Sequence, residues 1–257
     1  MSEFFIGYVA QTPPQLRSFL RKVVSTVLTL VVLLSLVLLK AQKPFAAASF
    51  QYNRDIELEG AIQARPYPVL LVTRPGETAA GEAVSTYPLV APGKRGADAM
   101  IAPFLERQVR LRGKLIFRDD LTMVEILPGS IAPVTGSSQA DAPVDLGPAT
   151  LTGEIVDTKC YTGVMNPGRG KVHRECAARC LSGGIPPGFL ARAPGELESR
   201  VYLLMAADGT ALPRQVLLDR VGESITLTGR RLKTGGLLQF RVQPDALQRG
   251  YKTTGSL

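Results

Sequence analysis

Apolar and polar positions divide the chain into one continuous apolar run followed by a long region of two-residue alternation. From Val23 to Leu39 only Ser25, Thr26, Thr29 and Ser35 interrupt the apolar residues. With Phe19 and Leu20 the run approaches the roughly 20 residues that cross a bilayer as a helix. This predicts one transmembrane anchor over 19–40, behind an N-terminal tail of residues 1–18. Beyond it, Ile56-Glu57-Leu58-Glu59-Gly60-Ala61-Ile62 and Val109-Arg110-Leu111-Arg112-Gly113-Lys114-Leu115-Ile116-Phe117 alternate as half-buried strands do, with turn residues between such runs. The expected fold is mainly β: an N-terminal transmembrane helix followed by two small OB-like β-barrel domains.

The division between the two domains is written in composition. The segment from Pro133 to Pro143 is small, polar and bounded by proline, as linkers are. The expected boundaries are a first barrel over 50–132, a linker over 133–148, a second barrel over 149–245 and a C-terminal tail over 246–257. The halves also superimpose in pattern. Leu58-Glu59-Gly60-Ala61-Ile62 lies on Leu151-Thr152-Gly153-Glu154-Ile155, and Val109 to Lys114 lies on Ile225 to Arg230. The interval between the paired glycines is longer in the second half, by about the length of the segment from Cys160 to Cys180. A duplicated barrel whose second copy alone carries an insertion accounts for this, with the first copy as spacer or docking surface. Strands of the second copy are expected at 150–157, 200–206, 214–218, 224–233 and 237–243, with turns at Asp208-Gly209 and Thr234-Gly235-Gly236.

The insertion gathers the chemistry. The sole histidine and all three cysteines of the 257 residues are Cys160, His173, Cys176 and Cys180. His173, Cys176 and Cys180 stand at i, i+3 and i+7, one face of a helix expected over 171–182 and stopped by Gly183-Gly184 and Pro186-Pro187. The turn-forming run Thr162 to Gly170 folds the chain back and brings Cys160 toward that face. Three readings fit these residues. Cys160, His173, Cys176 and Cys180 make a Cys3His set suited to zinc or to a soft copper ion. A disulfide from Cys160 to Cys176 or to Cys180 would staple the helix to the barrel, leaving one thiol over. A thiol activated by His173 and the cations Lys159, Lys171, Arg174 and Arg179 would serve redox or nucleophilic chemistry. Asp157 stands where it can orient His173 from behind.

Charge places the chain rather than naming a ligand. The net charge is +8, but half of that excess lies within residues 1–43 and flanks the apolar run. The remainder is spread without any Lys/Arg block, and the chain has no Trp, so no nucleic-acid partner is expected. Arg17, Arg21 and Lys22 before the span outnumber Lys40 and Lys43 after it, which favours an inside N-terminus. Ala46-Ala47-Ala48 offers a cleavage site, yet it lies behind Lys40, Lys43 and Pro44, and an uncleaved anchor is the expectation. Residues 44–257 then lie outside the cytoplasm; on a bacterial protein that makes the bulk of the chain periplasmic, on a single-pass anchor of the inner membrane, where disulfides persist.

The pattern Gly153-x-x-x-Asp157-x-x-Cys160, then His173-x-x-Cys176-Ala177-x-x-Cys180-x-x-Gly183-Gly184, resembles that of small bacterial exported or membrane-anchored OB-like domains. The resemblance covers roughly residues 150–243. It implies an extracytoplasmic bacterial setting and carries no particular reaction with it. Glycine spacing at Gly163 to Gly168 lacks the Lys-Ser/Thr of a phosphate loop, Ser182 lacks a nucleophile elbow, no C-x-x-C-H haem motif occurs, and Asp119-Asp120 reads as a hairpin turn. With no catalytic motif, two functions are expected. One is an anchored extracytoplasmic binding or accessory subunit of a larger membrane or periplasmic assembly, its Cys/His module structural. The other is a metal-binding (zinc or copper) or thiol redox protein using Cys160, His173, Cys176 and Cys180.

Overall fold

The computed structural model describes residues 12–41, 48–64, 66–74, 84–140, 142–193, 195–196 and 198–248. Most of the expected tail 1–18, Lys43, Ala46-Ala47 of the alternative cleavage site and residues 249–257 of the expected C-terminal tail lie outside them. Helix α1, Pro14–Ala41, covers the expected anchor and extends it by about a turn at its N-terminal end. Its stretch Leu16–Ala41 has a mean hydropathy of 2.5 and buries none of its apolar side chains against protein, so it is long and apolar enough to cross a membrane. The chain from residue 46 onward forms a separate compact unit.

That unit contains two closed five-stranded barrels. The first is built from β1 (Ile56–Gln63), β2 (Val69–Thr73), β3 (Val84–Ala91), β4 (Gln108–Arg118) and β5 (Leu121–Ile126), with a short helix α2 (Asp98–Ile101) between β3 and β4. The second comprises β6 (Val144–Asp157), helix α3 (Arg174–Ser182), β7 (Pro187–Ala191), β8 (Arg200–Ala206), helix α4 (Arg214–Leu218), β9 (Ser224–Thr234) and β10 (Leu237–Val242). The first closes in the order β1-β2-β3-β5-β4-β1, with β3 and β5 parallel and every other pair antiparallel. The second closes as β6-β7-β8-β10-β9-β6, with β8 and β10 parallel. This is one OB-type topology used twice.

The correspondence extends to single residues. Gly60 pairs with Val109 across β1 and β4, and Gly153 pairs with Ile225 across β6 and β9. Leu58 faces Leu111 as Leu151 faces Leu227, and Gly113 pairs with Ile126 as Gly229 pairs with Val242. A Cβ at Gly60 would overlap the Leu71 carbonyl, and one at Gly153 the Leu190 carbonyl. Both glycines therefore sit where the first strand of a barrel bends against the second. The sequence match between the halves is a match of register.

Alternation fills each barrel. In the first, Ile62, Leu70, Leu89, Val109, Leu111, Val124 and Ile126 are buried beneath Ala97 and Ile101 of the β3–β4 connection. In the second, Leu151, Ile155, Phe189, Tyr202, Leu204, Leu227, Phe240 and Val242 are buried beneath Leu212 and Leu217 at α4. Each fully buried Leu or Phe contributes about 1.5–3 kcal/mol relative to exposure. A third cluster belongs to neither barrel alone: Val90, Ile116 and Met123 of the first pack with Cys160, Cys180, Ile185, Leu203, Met205 and Leu237 of the second.

Three expectations are corrected. Residues 214–218 form helix α4 rather than a strand: Arg-Gln-Val-Leu-Leu lacks β-alternation, and it turns only Leu217 fully into the core. The missing strand is β7, Pro187–Ala191, whose Pro-Pro-Gly opening disguises it; proline is tolerated at a strand's first position. The expected linker 133–148 is shorter, because Ala132-Pro133 pairs with β4 and β6 already begins at Val144, hydrogen-bonded to β9. Asp119 and Asp120 form the expected turn between β4 and β5, with Asp119 at φ 50°.

Candidate metal centre at the barrel junction

The longer interval of the second half lies between its first two strands. Residues 158–186 join β6 to β7, where residues 64–68 suffice between β1 and β2. Both ends of the insertion are clipped together, the Thr158 hydroxyl donating to the Pro186 carbonyl at 2.8 Å and the Thr158 amide to the same oxygen at 3.2 Å. Cys160 opens a single helical turn, Cys160–Val164, at the exit of β6. The loop then folds back as its turn residues predict, so closely that a Cβ at Gly168 would stand 2.6 Å from the Cys160 carbonyl oxygen. A 3₁₀ turn, Lys171–His173, leads into α3, which ends at Ser182 ahead of the glycine pair. The expected helix and its stop are both present.

Three sulfurs meet. The Sγ atoms of Cys160, Cys176 and Cys180 all lie within 4.8 Å of one another. Cys160 and Cys180 are buried and their sulfurs are 3.8 Å apart, in contact but unbonded, while Cys176 is half-buried. The expected disulfide from Cys160 to Cys176 or Cys180 is therefore not formed. The two buried thiols are unequal. Their mutual hydrogen bond, burial and the negative field of Asp157 push the Cys160 thiol up, whereas that hydrogen bond and the charge of Lys94 hold Cys180 below the ordinary thiol range.

His173 stands at the start of the helix, beside Cys160, and has a further partner. As the residue preceding α3 it is buried, and its Nε2 lies 3.1 Å from Asp157 Oδ2. Asp157 is wholly buried at the end of β6, and its Oδ1 accepts the Cys160 amide at 2.8 Å. Asp157, Cys160 and His173 form a second group of potential ligand atoms within 4.8 Å, sharing Cys160 with the sulfur triad. All four expected ligands are thus neighbours, as two overlapping sets of three rather than one of four. Asp157 is in contact with His173, as expected of a residue that could orient it.

The first barrel forms one wall of this centre. The loop after β3 brings Lys94, whose Nζ lies 3.0 Å from Cys176 Sγ; this contact pushes the ammonium pKa up. A Cβ at Gly183 would overlap the Lys94 carbonyl, and the Gly96 amide donates to the Gly183 carbonyl at 2.9 Å. Lys159, between Asp157 and Cys160, is buried and donates to the carbonyls of Ala91 at 2.8 Å and Gly93 at 2.7 Å, and pairs with Glu125 of β5. Of the two roles expected for the first barrel, spacer or docking surface, its contacts here are those of a surface against which the insertion packs. Lys94 and Glu125 escape the sequence reading: Pro92-Gly93-Lys94-Arg95-Gly96 reads only as a turn, and Glu125 is a single polar residue in an apolar strand. Comparison with protein-family models, with curated proteins and with solved structures gives no match.

Proposed function

We propose that the chain is a tethered accessory protein that holds a soft metal ion, copper(I) foremost, between Cys160, Cys176 and Cys180. The observation that carries this reading is the convergence of three unbonded sulfurs from two separate segments within 4.8 Å. Thiolates select copper(I) and zinc among biological metals, whereas structural zinc demands four ligands in a tetrahedron. Three sulfurs gathered within 4.8 Å suit a three-coordinate monovalent ion, and His173 joins only Cys160 of the three, in a second group with Asp157. A purely stapling role is less well supported, because Lys159, Thr158 and the Gly183–Gly96 contact already fasten the insertion without the sulfurs. In this reading α1 anchors the protein in a bacterial inner membrane and the barrels lie in the periplasm, where bound metal would protect the thiols from oxidation.

The test is metal loading of the full chain in detergent under reducing conditions. One copper(I) per chain, resistant to a competing chelator and lost in Cys160→Ser and Cys180→Ser, is the expected result. Tight stoichiometric zinc with no copper(I) retention would make this a zinc site. No metal, with two of the three thiols found oxidised in protein purified without reductant, would return the cluster to the role of a staple.

A further inference from the structure

The three sulfurs differ in what separates them from solvent. Cys160 and Cys180 are 4 % and 1 % exposed and belong to the apolar cluster at the barrel junction. Cys176 lies in the first turn of α3, is half-buried, and has the Lys94 ammonium of the other barrel against its sulfur. Lys94 is itself exposed, on a loop whose backbone is held at two points: Gly96 to Gly183, and the Gly93 carbonyl to Lys159. The loop backbone is thus held while the Lys94 side chain is exposed to solvent.

From this geometry we infer that metal enters and leaves through Cys176, and that Lys94 of the first barrel is the positioning residue that keeps this outer sulfur on the ion. This rests on the metal-holding reading above and adds a direction to it. Three thiolates on a monovalent cation carry a net charge of −2, and an ammonium 3.0 Å from one sulfur offsets part of it. When Lys94 turns to solvent, the outer sulfur loses that partner and is the one able to yield to an incoming thiolate. The recipient class is a protein or small molecule that offers a thiolate to copper(I). Cys176 is exchanged for the incoming sulfur on the ion, no electron moves, and the proton released by the incoming thiol ends on Cys176 as it departs.

The test uses the full chain in detergent, loaded with copper(I), and follows transfer to a colour-forming copper(I) chelator. Lys94→Ala is expected to release the ion at least tenfold faster than wild type with unchanged stoichiometry, and Lys94→Arg to restore much of the difference. Cys176→Ser should still load but release faster again, while Cys160→Ser and Cys180→Ser fail to load. In the metal-free protein, iodoacetamide should modify Cys176 before either other cysteine. Equal release by wild type and Lys94→Ala, or first alkylation at Cys160 or Cys180, overturns the inference while leaving the metal site standing. Failure of the wild type to load copper(I) at all removes both.

Discussion

Lys159, on the insertion of the second barrel, forms a buried ion pair with Glu125, on the last strand of the first. The ammonium also donates to the Ala91 and Gly93 carbonyls, so four polar atoms from two barrels satisfy one another out of solvent. Breaking such a pair strands the remaining charge, which costs about 3–5 kcal/mol, while replacing both partners with apolar residues is often nearly neutral. Lys159→Met should therefore lower the urea midpoint strongly, and Lys159→Met with Glu125→Leu should recover most of the loss. A double variant as unstable as the single would show that the carbonyl contacts, not the pairing, hold the junction.

The contact between His173 and Asp157 predicts a separation of stability from metal retention. His173→Ala leaves a wholly buried carboxylate oxygen without its partner, a loss of at least about 1–3 kcal/mol. His173→Gln, which can still donate, should regain part of it. Both variants should bind copper(I) at the wild-type stoichiometry because the three sulfurs remain. A His173→Ala protein that folds but binds no metal would make the imidazole a ligand.

Gly183, just past the end of α3, meets the first barrel at the Lys94 carbonyl. An alanine there drives its methyl group into the Lys94 carbonyl, and backbone on both sides resists the shift. Gly183→Ala should destabilise the unit by about 1–3 kcal/mol, the range for overpacked sites. It should also speed copper(I) release in the manner of Lys94→Ala, since the displaced loop carries that lysine away. Gly170→Ala is a control: it has open space around it and a positive φ of 75°, so it strains the backbone without pushing on the first barrel.

Tyr67, in the β1–β2 connection of the first barrel, donates its hydroxyl to the Leu204 carbonyl of β8 at 3.0 Å. Burial pushes its pKa well above the ordinary tyrosine value, against a smaller opposing effect of the Leu212 amide. Burial also raises Tyr161 and Tyr202. The folded state thus favours the neutral phenol. That stability is fully present below the unfolded tyrosine pKa of about 10 and is lost as pH rises beyond it. Melting temperatures should fall steeply above about pH 10, and Tyr67→Phe, less stable at neutral pH, should show a shallower fall. An identical alkaline slope in the variant would place the sensitivity elsewhere.

The elements legible in sequence are those whose neighbours are local or periodic. Alternation in Ile56–Ile62 and Val109–Phe117 locates β1 and β4, and the Gly60/Gly153 and Gly113/Gly229 matches locate equivalent bends of the two barrels. The i, i+3, i+7 spacing gives α3 and the approach of Cys176 to Cys180. What escapes is determined by distant partners. Pro187–Ala191 is a strand because β6 and β8 flank it, and nothing local outweighs its prolines and glycine. The spacing places His173 beside the cysteines but does not show its contact with Asp157, which comes from the end of another element. Lys94 has no signal at all, since a turn lysine is ordinary until a sulfur from another barrel stands beside it.

Strand pairing closes the second barrel on either side of residues 158–186 and does not pass through them. The sulfur-bearing segment is therefore a cartridge: its chemistry can be exchanged while the framework keeps its hydrogen bonds. The first barrel joins the equivalent strands through five residues, so one chain holds a long and a short form of a single architectural slot.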